Sequence, residues 1–80
     1  MVSNEQMKDN LMKIYSRYLE NKEDNKNRKK AYKIYLEYSP GANTIFSKDV
    51  GGAIWSSFEL SEGKLSKKEA QKILEDLNKS

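Results

Sequence analysis

Two serines near the ends of the chain, Ser3 and Ser66, each stand three residues ahead of a Gln or a Glu, Gln6 and Glu69, and just ahead of apolar residues spaced three and four apart. Such a pattern opens a helix, because the serine hydroxyl accepts from the amide three residues on while the Gln or Glu reaches back to the serine amide. After Ser3, the residues Met7, Leu11, Ile14, Tyr15 and Tyr18 fall on one helical face, with Met12 and Leu19 widening it. Val2 and Met7 hold the positions of a hydrophobic staple. After Ser66, Ala70, Ile73, Leu74 and Leu77 repeat the helical spacing. These patterns predict helices over about 4–20 and 67–78.

Between them the pattern is less uniform. Glu20 to Lys30 holds no apolar side chain and reads as a solvated connection, within which Asp24 or Asn25 caps a second helix over about 26–38. Lys26, Arg28, Lys29 and Lys30 then crowd its first turns, the wrong sign for the positive end of a helix dipole. Ala31 to Tyr38 fits both a helical face and strand alternation, and helix is preferred because a lone two-stranded ribbon is marginal in water. Ser39-Pro40-Gly41 ends it. Following a loop through Asn43, Ser47 caps and Asp49 favours a third helix over about 48–60. Ser61 to Lys64 reads as a turn. The fold class expected is all-α: one domain, 1–80, folded as a small antiparallel bundle of three to four helices with short connections.

The uncharged run Val50 to Phe58 contains the only Trp and two of the four glycines. Val50, Ile54 and Phe58 line one face with Trp55 beside them. Glycine in a helix interior costs roughly 1 kcal/mol relative to Ala, so Gly51 and Gly52 are expected where a neighbouring backbone comes very close, with Trp55 filling the space alongside.

A chain of 80 residues buries only about 60% of the surface its unfolded form exposes, so its core is small. With no Cys and no His, it has no disulfide and lacks the usual nitrogen and sulfur metal ligands, nucleophiles and bases. Phe58 to Glu69 partly matches a calcium loop through Glu62, Gly63, Leu65, Ser66 and Glu69. Its first and third positions, however, are Phe58 and Leu60, which carry no side-chain oxygen. Gly51-Gly52 lacks the Lys-Ser/Thr ending of a phosphate loop. No catalytic, cofactor-binding or metal site is expected, and the chain does not read as an enzyme. The first residues lack a basic start and an apolar run, and no segment approaches the roughly 20 apolar residues of a membrane span. A cytoplasmic protein is expected.

What remains is binding. The chain carries a formal charge of +3, and residues 1–40 hold nine basic against six acidic side chains while 41–80 hold six of each. The excess therefore belongs to the first half, which also contains all five tyrosines, at 15, 18, 32, 35 and 38. Tyr joins a large apolar body to a polar tip and suits interfaces as well as cores. The leading expectation is a protein-protein interaction module of the regulator, inhibitor or immunity type, a profile that small bacterial and phage-encoded regulators share in size and fold. Tyr15, Tyr18, Tyr32 and Tyr35 would be its anchors, and Lys29, Lys30 and Lys33 its rim. The alternative is a nucleic-acid accessory protein in which Lys26, Arg28, Lys29, Lys30 and Lys33 contact phosphates. A charge run of this kind more often only solubilises a face. A homo-oligomer, in which a second copy completes the apolar stripes, is a third arrangement open to so short a chain.

Overall fold

Each long helix begins at a residue whose side-chain oxygen takes up one of the free amides of the first turn. Ser3 accepts from Gln6, Asp24 from Asn27, Ser47 from Val50 and Ser66 from Glu69. In the computed structural model, which describes residues 2–80, these caps open α1 (Asn4–Glu20), α2 (Asn25–Tyr38), α4 (Lys48–Ser61) and α5 (Lys67–Lys79). A single extra turn, α3 (Ala42–Ile45), lies before α4, where a loop was expected. The box at Ser3 is complete, with Gln6 Oε1 accepting from the Ser3 amide. At Ser66 only the forward bond, from the Glu69 amide, is made. Ala31 to Tyr38 is helical, and no strand occurs among the described residues.

The long helices alternate in direction. The α1–α2 hairpin is held by Arg17 against Asp24 at 2.8 Å and by Asn27 Nδ2 donating to the Ile14 carbonyl at 2.9 Å. Asn27 is buried by that bond, so the start of α2 is packed although the sequence there carries no apolar side chain. Running antiparallel to α1 on its other side, α5 brings its end to Lys8, whose Nζ donates to the Ser80 carbonyl at 2.7 Å. Helices α1 and α4 run parallel. The Ser47 amide donates to Asn4 Oδ1 at 2.8 Å at one end, and Tyr15 Oη donates to the Ala53 carbonyl at 2.6 Å further along. These two form the central pair, with α2 and α5 each packing on both. The product is a small helical bundle with no helix, among the described residues, long and apolar enough to cross a membrane.

Met7, Leu11, Ile14, Val50, Ile54, Leu60 and Leu77 fill the interior. At the glycine pair the expectation holds for one member only. A Cβ on Gly51 would stand 3.0 Å from Asn43 Oδ1 and 3.1 Å from the Ala42 carbonyl oxygen, so α3 does come very close there. Gly52 faces open space. Trp55 does not fill the gap beside them: it lies 46% exposed, and Phe58 is 37% exposed. The core-lining face of α4 is instead the strip through Val50, Ala53, Ile54, Ser57 and Leu60.

Candidate interaction surfaces

The two halves of the Tyr-rich expectation part company in the fold. Tyr15 and Tyr18 have no exposed surface. Their rings belong to the core, and their hydroxyls donate to the Ala53 and Leu65 carbonyls, which satisfies the polar tips inside the protein. Burial, with Glu59 adding repulsion, pushes the Tyr15 hydroxyl far above its usual ionisation range, and burial likewise raises Tyr18. Neither can anchor a partner, because reaching it would require opening the bundle.

Tyr32 and Tyr35 take the other course. They lie on the flank of α2 that meets α4, where ring follows ring in a connected series. Tyr32 stands 6.5 Å from Phe58, Phe58 4.9 Å from Tyr35, and Tyr35 5.9 Å from Trp55 in an edge-on arrangement. Such offset and edge-on pairs add to the stability that area alone provides. The series is nonetheless open to solvent: Tyr32 is 45% exposed, and Leu36, one turn beyond it, 57%. Exposed large apolar side chains scattered singly are ordinary, whereas contiguous ones mark contact surfaces. A fourth pair, Tyr38 against Phe46 at 5.9 Å, lies apart from this series, with Phe46 buried.

The lysines and arginine of the basic cluster do not share one face. Arg28 is turned away from solvent, its Nε donating to the Ser61 carbonyl at 2.9 Å and its Nη1 lying 3.8 Å from Glu23. This cation, unfavourable at the start of α2, thus sits at the C-terminal end of α4, where the dipole favours it. Lys26, Lys30 and Lys33 line the opposite flank of α2, facing α1. There they border a groove of about 650 Å³ together with Lys13 and Arg17 of α1, over a floor that includes Ile14 and Ile34. Lys29 is exposed and stands outside that lining. At the closed end of the hairpin, Arg17 and the Asn27 amide hold the Asp24 carboxyl below the usual carboxylate range.

Residues outside the expected sites complete both surfaces. Trp55 and Phe58, expected in the packing centre, supply half of the aromatic face. Lys13 and Arg17, four residues apart on α1, supply one wall of the groove. The signal for Trp55 lies in the spacing of α4, where Val50, Ala53, Ile54, Ser57 and Leu60 repeat at helical intervals and Trp55 falls outside that strip.

Among the described residues no cluster of three His, Cys, Asp or Glu side chains is placed to hold a metal ion. Comparison with protein-family models, with curated proteins and with solved structures found no match to this chain.

Proposed function

We propose that this protein acts by binding another protein through the aromatic face of α2 and α4, as a small regulator, inhibitor or immunity-type binder working in the cytoplasm. The single observation that carries the reading is the connected series Tyr32, Phe58, Tyr35 and Trp55, left open to solvent beside Leu36. Aromatic residues dominate the energetically decisive centres of protein interfaces, because they bring large rigid contact area at little cost in conformational entropy. A core of this size would gain from burying those side chains if stability alone were at stake. The absence of His and Cys supports a binder over a catalyst, and the absence of Cys suits a reducing compartment.

The test compares a double variant, Trp55→Ser with Phe58→Ser, against wild type and a Lys68→Glu control on α5. All three are expected to keep the same helical circular-dichroism spectrum. The cellular partner that co-purifies with wild type and with the control should be lost from the double variant. Trp55→Ala alone should weaken the purified pair by about 2 kcal/mol, roughly thirtyfold. A partner held equally well by the double variant rejects this face. Sedimentation of the wild type at two concentrations shows whether the partner is a second copy of the same chain.

A further inference from the structure

We infer that the groove between α1 and α2 is a second docking site, which takes an acidic amphipathic helical segment of a partner protein. It lies on the opposite flank of α2 from the aromatic face, so it stands apart from the function proposed above.

The groove is strongly cationic. Five cations border the groove and Asp24 is the one carboxylate among its lining residues, which leaves +4 there against a formal +3 for the whole chain. The rest of the protein therefore sums to −1, and the entire positive excess is gathered in one place. Arg17 is the cation engaged by Asp24, at 2.8 Å; Lys13, Lys26, Lys30 and Lys33 have no carboxylate within 4.0 Å among the described residues. Such a concentration raises the local density of acidic ligands and speeds their association.

Its cations are spaced at helical intervals. Lys26, Lys30 and Lys33 follow one another at four and three residues on α2, and Lys13 and Arg17 at four on α1. Two rows of cations, about 10 Å long on α2 and about 6 Å on α1, thus flank an apolar floor at Ile14 and Ile34. A helix with an apolar ridge and Glu or Asp on both sides of it has the matching pattern, since its own side chains repeat at the same intervals. A nucleic acid would match only the cations. The floor would have no apolar counterpart, and no aromatic ring lines the groove on which a base could stack.

The probe is a synthetic helical peptide with Leu at every third and fourth position and Glu on either side, titrated into the isotope-labelled protein and followed by amide chemical shifts. Shifts are expected at Asn10, Lys13, Ile14, Lys30 and Ile34, with affinity falling as salt rises. Lys30→Glu with Lys33→Glu should weaken binding by about tenfold or more, and Lys13→Glu on the other wall should weaken it independently. Trp55→Ser with Phe58→Ser should leave it unchanged, which separates this site from the aromatic face. The inference is overturned if a peptide with Lys in place of Glu binds equally well, or if neither peptide binds at low salt. It is also overturned if an oligonucleotide of the same net charge displaces the peptide from these residues, which would assign the groove to phosphates, or if the shifts appear at Tyr32 and Trp55.

Discussion

Arg28 occupies the space that a side chain at position 63 would need: a Cβ on Gly63 would stand 3.1 Å from Arg28 Cζ and 3.2 Å from both terminal guanidinium nitrogens. Gly63 also has φ +72°, in the left-handed region where side chains are strained. The turn between α4 and α5 and the start of α2 are thereby locked to each other. Gly63→Ala is expected to destabilise the fold by about 1–3 kcal/mol, from strain and from displacement of Arg28. In an Arg28→Ala background the same change should cost less, and equal costs in both backgrounds, read from chemical denaturation, would show that the two residues are uncoupled.

The two glycines of α4 should respond in opposite directions. Gly52 faces open space on an exposed part of the helix, so Gly52→Ala is expected to raise stability by up to about 1 kcal/mol. Gly51→Ala would press a methyl group against the Ala42 carbonyl, which as backbone cannot swing aside, and should lower stability. Thermal midpoints of the two single variants decide the matter; a stabilised Gly51→Ala would mean that α3 yields readily.

Alkali should unfold the protein through its buried tyrosines. Tyr15 and Tyr18 have folded-state ionisation raised above the ordinary 10.0, chiefly by burial. Their contribution to stability is therefore full below pH 10.0 and is lost as pH climbs from there toward the raised folded-state values. For Tyr15 the slope is about 1.4 kcal/mol per pH unit within that window. Because lysines titrate nearby, the informative quantity is the difference between wild type and Tyr15→Phe in urea midpoint. Wild type should fall more steeply above about pH 10, and parallel curves would contradict the burial of this hydroxyl.

Acid acts at the other corner. The Arg17 guanidinium, and then the Asn27 amide, depress the Asp24 carboxyl below its ordinary 3.8. A depressed folded-state value means that the contribution is present above pH 3.8 and is lost as pH falls through the lower folded value. Asp24→Asn keeps a capping side chain for α2 but removes the charge. Its denaturation midpoint should change less than that of wild type between about pH 5 and pH 2. Identical pH profiles would show that the Arg17 pair contributes nothing to folding.

Most of the secondary structure was legible because its causes are local. The caps at Ser3, Ser47 and Ser66 act within three residues, and the stripes through Met7 to Tyr18 and Ala70 to Leu77 repeat with the helix itself. The single turn of α3 was not, since it has no side-chain cap and no stripe and stands on its packing beside α4.

The surfaces were settled at longer range. Tyr15, Tyr18, Tyr32 and Tyr35 all occur at helical spacing and look alike in the sequence. The first two lie on α1, enclosed by α4 and by Leu65 in the turn before α5. The latter two lie on a flanking helix whose outer edge no further element covers. In the same way a run of five cations was plain to read, but its division came only with the packing of α2. Arg28 went to the end of α4, and Lys26, Lys30 and Lys33 went to a wall facing Lys13 and Arg17. The sequence by itself determined where helices begin and which residues are apolar or charged, because those depend on neighbours a few positions away. Only the tertiary structure decided which apolar faces are covered and which cations converge, because both depend on residues brought together from distant parts of the chain.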